Sequence, residues 1–187
     1  MLIAPDAPPR PPPRVHLVTS RLSLRLPSAA DAGFLLELLN DPDFVRFTGD
    51  RGIRDLAGAA GYATDRLLPL YQKHGYTLLV VELRSDRTPI GICGWVRRDY
   101  LDVPDLGYGY LRRFTGQGYA IEAAAATLEH GRAALGLTRV HAITKPDNLA
   151  SMRLLAKLGF RLDPQFRLPA GQDDLLFTGF LVSVAAN

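Results

Sequence analysis

The sequence predicts a mixed α/β fold of the α+β kind, a central, mostly antiparallel sheet of about six to seven strands flanked by helices. Three observations carry this reading. Leu22, Leu24 and Leu26 alternate with Ser23 and Arg25, the period of a strand with one buried face. Two β-rich runs, residues 76–83 and 90–96, flank the turn Asp86-Arg87-Thr88-Pro89 and form an antiparallel hairpin. A strand near residues 106–111 leads through a glycine-bearing turn into a long alanine-rich helix, residues 119–135, and then into a strand at 139–144; that succession is a parallel crossover.

The other elements follow in order. Ser28 and Asp31 make an S-x-x-D capping signal before a helix whose buried stripe is Phe34, Leu35, Leu38 and Leu39. Asp41-Pro42 reads as an N-cap with proline at the first helical position of a second, short helix. A third helix is expected over residues 55–68, with Pro69 disturbing its end. Gly136 suits the C-cap of the alanine-rich helix. Pro146-Asp147-Asn148 opens a last helix that stops at Gly159, and residues 175–182 form the final strand.

The chain of 187 residues corresponds to one domain, large enough to bury roughly 70% of its unfolded surface. Its 47% apolar and 22% charged content excludes disordered, collagen-like and coiled-coil classes. Residues 1–14 hold six of the fourteen prolines and are expected to be a disordered, polyproline-like tail, with residues 15–187 as the single domain. A proline-ligand role for that tail stays open. The net charge of +3 is spread over both signs, with no Lys/Arg run of the kind that marks a nucleic-acid patch. Cations also suit a phosphate-bearing small molecule. The single Cys93 cannot form an internal disulfide, and no apolar run approaches the roughly 20 residues that span a bilayer. A cytoplasmic location is expected, with neither membrane nor specific nucleic acid as partner.

The most informative stretch is Arg113-Phe114-Thr115-Gly116-Gln117-Gly118-Tyr119-Ala120, between a strand and a helix. Glycines there permit positive φ and close backbone approach. The amides of the helix's first turn lack intrahelical partners and, with the helix dipole, attract an anion such as a pyrophosphate. Arg113 adds a cation. The same glycines could simply make a tight strand-to-helix turn. No G-x-x-x-x-G-K-[ST] is present, and G-x-G-x-x-G does not occur at this turn.

R-x-x-G-x-G followed by Tyr119-Ala120-Ile121-Glu122-Ala123 resembles the acetyl-CoA signature of the GNAT superfamily of N-acetyltransferases. Asp105-Leu106-Gly107-Tyr108 resembles the strand before that signature. Asn148-Leu149-Ala150-Ser151 through Lys157-Leu158-Gly159-Phe160 resembles the family's N-x-x-S…K-L-G-F helix. Thr19-Ser20-Arg21-Leu22-Ser23-Leu24-Arg25 resembles the opening of the RimJ/RimL branch. The resemblance spans about residues 19–180 and implies an acetyl-CoA-dependent acyltransferase acting on a primary amine. The acceptor would be a protein N-terminus or a small molecule, the enzyme a monomer or homodimer, and no metal would be needed. It places the CoA pyrophosphate on the amides of Arg113, Phe114, Thr115, Gly116, Gln117, Gly118, Tyr119 and Ala120, with Leu111 also in the cofactor site at the end of the preceding strand. The pantetheine arm would lie between two splayed parallel strands, helped by a bulge at Gly107 or Gly109, with Asn148 and Ser151 beside it.

Attack of an amine on a thioester needs a base for the amine, donors for the oxyanion and a proton for the thiolate. Asp105 is the candidate base; it stands where the family usually has glutamate, and it could equally be a loop carboxylate. Ser151 is the candidate donor at the thioester, or a solvent-facing helix serine. Leu155 replaces a tyrosine that serves many relatives as the thiolate's acid. Glu122 reads as first-turn dipole pairing more readily than as a catalyst, and Tyr108 and Tyr110 as core or pocket wall on the strand face opposite Asp105. His141 reads as a packed histidine and Cys93 as a small buried hydrophobe. The acceptor pocket is expected from residues 41–62 and 161–174. Asp41, Asp43, Asp50, Asp173 and Asp174 there would favour a cationic acceptor, or be solvated loop charges. A catalytically weak acyl-CoA-binding sensor or scaffold is the alternative function.

Overall fold

The computed structural model describes residues 15–164, 166, 169 and 174–181. The proline-rich segment 1–14, Asp173 and the end of the last expected strand at residue 182 lie outside the described residues.

The strands are β1 (His16–Val18), β2 (Leu22–Arg25), β3 (Leu78–Leu83), β4 (Pro89–Val96), β5 (Asp105–Tyr110), β6 (Arg139–Thr144), β7 (Arg161–Leu162) and β8 (Leu175–Phe180). The α-helices are α1 (Ala32–Leu39), α2 (Pro42–Thr48), α3 (Leu56–Gly61), α4 (Leu68–His74), α5 (Tyr119–Leu135) and α6 (Leu149–Lys157). One eight-stranded sheet runs in the order β1-β2-β3-β4-β5-β6-β8-β7. Only β5 and β6 are parallel; every other neighbouring pair is antiparallel. The count exceeds the expected six or seven because β1 and β7 are three and two residues long, too short to show a period.

β2 buries Leu22 and Leu24 fully while Ser23 and Arg25 are half-buried, as their alternation requires. β3 and β4 are buried on both faces and read as nearly continuous apolar runs. One face packs Leu79, Val81, Trp95 and Leu106 against Ala123, Ala124 and Leu128 of α5. The other packs Ile92 and Leu111 under Leu35, Leu38, Phe44, Ala59 and Tyr62. Burial pushes the Asp31 carboxyl up, but hydrogen bonds from Arg25 and Ser28 outweigh it and hold that group below the usual carboxylate range.

Pro69 does not end the third helix. Residues Tyr62–Leu67 widen into a π turn in which the Leu68 amide donates to the Ala63 carbonyl, five residues back. The ladder is thus already shifted where proline lacks its N–H and its ring crowds the preceding turn, so helix continues to His74. Gly75, at φ +77°, closes it.

The turn between β1 and β2 is tied to the start of α5 by one side chain. Glu122 accepts hydrogen bonds from Thr19 Oγ1 (2.6 Å), Ser20 Oγ (3.0 Å), the Arg21 amide (2.9 Å) and Arg21 Nε (2.7 Å). Burial raises this carboxyl, yet the donors prevail and bring it down to about 2. A carboxylate depressed in the folded state stabilises fully above its unfolded titration and loses that contribution as pH falls through the folded value. Glu122→Gln is therefore expected to cost about 1–3 kcal/mol near neutral pH, read by urea unfolding. The gap to wild type should narrow as pH is lowered from about 4.5 towards 2; a pH-independent gap would contradict the assignment.

Candidate active site

β5 pairs with β4 along its whole length, from Val96↔Asp105 to Gly91↔Tyr110, without a break in register. With β6 it pairs only at Asp105↔His141, where the His141 amide donates to the Pro104 carbonyl (3.0 Å). Beyond that bridge the strands part. β6 is held on its far side by six pairs to β8, Arg139↔Phe180 to Thr144↔Leu175. The Leu111 amide donates to Ile90 on β4 (3.0 Å), so by alternation the backbone groups of Tyr108 and Tyr110 face the opening. The expected bulge at Gly107 or Gly109 is absent. Those glycines make room instead: a Cβ at Gly107 would meet Val96 at 2.8 Å, and one at Gly109 the Phe44 ring at 2.6 Å.

After β5 the chain makes a 3₁₀ turn, Arg112–Phe114, and reaches α5 through Gly116 (φ +75°) and Gly118 (φ +80°). Arg113 does not stand free beside this turn. It pairs with both carboxylate oxygens of Glu37 on α1 and covers the Phe114 ring at 5.1 Å. The guanidinium that touches the turn is Arg21. Its Nη1 donates to the Gln117 carbonyl (3.0 Å), and it lies over the Tyr119 ring at 4.6 Å. Arg21 lies in the Thr19-Ser20-Arg21 motif, whereas adjacency in the chain points to Arg113 as the cation for the anion. Leu111 is 1% exposed in the core, and Gln117 Nε2 donates to the Arg113 carbonyl (3.1 Å).

A cavity of about 900 Å³ reaches from Phe114, Thr115, Gly116, Gly118, Tyr119 and Ala120 along β5 to Asn148, Ser151 and Asp105. The Asn148 side chain accepts from the Ser151 amide (3.1 Å), an N-cap that also lines this space. The Ser151 hydroxyl, buried, lies 2.8 Å from the Tyr108 hydroxyl. Burial pushes the Tyr108 phenol up to about 12, with Ser151 opposing. Leu155, one turn further along α6, is fully buried. Tyr108, placed by the sequence among wall residues, thus brings a hydroxyl to the helix that lacks the family's tyrosine.

Asp105 is 1% exposed, and both of its oxygens accept from Arg98 Nε at 3.2 Å. Burial raises its carboxyl above the ordinary value, and Arg98 only partly offsets this. His141 is satisfied by Thr178 Oγ1 (3.0 Å) and Asp102 Oδ1 (3.2 Å), a packed histidine. Cys93 is fully buried and its thiol is pushed up to about 12, so it stays protonated. Of the acidic residues expected around the acceptor, Asp41 caps α2, Asp43 meets Arg112 at 3.7 Å and Asp50 pairs with Arg54. Asp174 lines the cavity. Among the described residues no group of three or more His, Cys, Asp and Glu could hold a metal ion, and no helix is long and apolar enough to cross a membrane.

A parallel pair opened beyond one bridge, with a glycine turn and helix start at its end, leaves room for an extended ligand. The chain belongs to the GNAT acetyltransferase family: residues 21–161 match the Acetyltransferase (GNAT) domain. It is an acetyl-CoA-dependent acetyltransferase. It is similar to YnaD of Bacillus subtilis (strain 168), an uncharacterized N-acetyltransferase, 34% identical over 161 residues, 85% of this chain and 91% of that one. An acetyltransferase from Agrobacterium tumefaciens str. C58 has the same fold, with a TM-score of 0.76 at 24% identity over 96% of this chain and 98% of that one. So has RimL, a ribosomal L7/L12 alpha-N-protein acetyltransferase solved in complex with CoA, at 0.75 and 16% identity over 89% and 98% of the chains.

Valine at position 118 would be strained at φ +80° and would bring a Cβ to 3.3 Å from Arg21 Nη2. Gly118→Val is expected to weaken acetyl-CoA binding by about tenfold or more, since left-handed backbone alone costs a β-branched residue about 1–2 kcal/mol. Calorimetry on the folded variant checks this; unchanged affinity would remove the turn from the cofactor site.

Proposed function

We propose that the protein acetylates a primary amine, a protein N-terminus or a small molecule, by direct attack in a ternary complex with acetyl-CoA. The observation that carries this is the opening between β5 and β6. The glycine turn stands at one end of it, and Asp105 and the Ser151–Tyr108 pair line the same cavity. RimL, a protein of the same fold, was solved in complex with CoA, which supports CoA as the ligand of this cavity. The amides from Thr115 to Ala120 would hold the diphosphate, with Arg21 bracing the turn through the Gln117 carbonyl and Arg113 acting through its contact with Phe114. The backbone of Tyr108 and Tyr110 and the Asn148 side chain would hold the pantetheine arm. The single, fully buried cysteine suits a reducing compartment such as the cytoplasm.

When bound, acetyl-CoA supplies an acetyl group activated as a thioester. In the transfer a bond forms between the amine nitrogen and the acetyl carbon, and the carbon–sulfur bond breaks. The amine's proton passes to Asp105, directly or through water. A carboxyl raised by burial is a better base near neutral pH than an exposed aspartate. The leaving sulfur receives a hydrogen bond from the Ser151 hydroxyl, which the Tyr108 hydroxyl holds at 2.8 Å, and takes its proton from water. Tyr108 thereby orients from β5 the hydroxyl that α6 presents to the thioester.

The decisive comparison is kcat/KM against pH for wild type and Asp105→Asn, with acetyl-CoA affinity measured separately. Wild-type activity should rise with pH as Asp105 and the amine lose their protons. The variant should be slower by about 10²–10⁴-fold and lose the Asp105 limb. Coincident profiles would make Asp105 structural. If Ser151→Ala alone then lowered kcat, the proton chemistry would belong to α6.

A further inference from the structure

We infer that the amine accepted by this enzyme carries an anionic group, a carboxylate or a phosphate, that seats on Arg51, Arg66 and Arg97; this rests on the acetyl-transfer reading above. Most arginines of the fold are neutralised by a neighbouring carboxylate, among them Arg21, Arg25, Arg46, Arg54, Arg98 and Arg113. Arg51, Arg66, Arg84, Arg97, Arg153 and Arg161 have no ion pair among the described residues, and all of these except Arg84 and Arg161 line the cavity of about 900 Å³. The carboxylates lining it are mostly consumed. Asp43 faces Arg112 at 3.7 Å and Asp105 faces Arg98 at 3.2 Å, which leaves Asp174. A cleft lined by an excess of one sign over low-dielectric walls concentrates the opposite charge.

Arg51 leads into α3, and Arg66 lies in the π turn that follows it. Both act on the Tyr62 phenol, which burial pushes up and the two guanidinia pull down. Arg66 lies 6.0 Å from the Tyr62 ring, and Tyr62 packs with Phe44 and Ile92 on the sheet face where Phe44 covers Gly109. Arg97 follows Val96, the partner of Asp105 at the start of β5. The glycine turn follows the other end of that strand, roughly 17 Å away at about 3.3 Å per residue. A diphosphate on the turn therefore lies away from Arg97, whose guanidinium meets the Tyr76 hydroxyl and carries no carboxylate partner among the described residues. An amine delivered to Asp105 brings its own positive charge to the carboxylate, while the rest of the acceptor meets guanidinia. The acidic loop residues that would have favoured a cationic acceptor are engaged elsewhere: Asp41 in its cap, Asp50 with Arg54.

The test uses the full chain, acetyl-CoA and short and long aminoalkyl chains. Each chain ends in a carboxylate, a phosphate, a neutral amide or a second ammonium. At one or more lengths an anionic end should raise kcat/KM about tenfold or more over the amide, the scale of a hydrogen bond to a charged group, and the second ammonium should lower it. The carboxylate and phosphate series separate the two anion sources. In Arg51→Gln/Arg66→Gln, and separately in Arg97→Gln, the anion-to-amide ratio should fall towards one; all three side chains are exposed, so the fold tolerates the exchange. Equal rates for anionic and neutral chains, or a preference for the diamine, would overturn the inference while leaving acetyl transfer standing. An anion preference that survives in all the variants would overturn the assignment to these arginines. Acetyl-CoA binding, followed by calorimetry, with no acetylation in any series would overturn the transfer reading and this inference together.

Discussion

Strands β5 and β6 run parallel and bridge once, at Asp105 and His141. That single bridge is the constraint on which the site depends. Each strand is fully paired on its outer side, β5 to β4 and β6 to β8, so neither can swing to close the gap without breaking an antiparallel ladder. Unpaired backbone N–H and C=O groups inside a fold are costly unless something else meets them. Here they line a cavity of about 900 Å³ that an extended, amide-bearing ligand can enter as an additional strand. The bridge also fixes what stands at the mouth: Asp105 is one half of it, and Arg98, which holds the carboxylate, follows the end of β4.

Around that gap the charges divide their work. Glu122 gathers four donors from the β1–β2 turn and so brings Arg21 against the glycine turn. Arg113 is spent on Glu37 and serves to lock α1 to the end of β5. Arg51, Arg66, Arg97 and Arg153, which have no ion pair among the described residues, line the cavity. Two kinds of buried polar group line the gap, a carboxylate raised above its ordinary value by burial and a hydroxyl pair spanning β5 and α6.

Much of this was legible in the sequence because local signals agreed with the fold. The boundaries of α5 and β6, the Asp41 cap and the Asn148 cap are set by residues adjacent in the chain. What local pattern misses is what distant segments decide. Pro69 reads as a helix end because its effect is normally local, but the π turn before it absorbs the break. Gly107 and Gly109 read as bulge formers, whereas their lack of Cβ admits Val96 and Phe44 from other elements. Arg113 reads as the phosphate cation by adjacency, and only the fold shows Glu37 taking it and Arg21 arriving from far earlier in the chain. The Tyr108–Ser151 contact joins residues 43 positions apart, beyond any motif spacing.

Amide hydrogen exchange with and without acetyl-CoA tests the central claim most directly, because it reads the gap itself. The amides of Tyr108 and Tyr110 face the opening with no partner strand beyond the Asp105 bridge, while the Leu111 amide is already bonded to Ile90. Binding should slow exchange at Tyr108 and Tyr110, together with the amides of the glycine turn, and leave Leu111 unchanged. Saturating acetyl-CoA that leaves Tyr108 and Tyr110 exchanging as in the free protein would show that the ligand does not enter between β5 and β6.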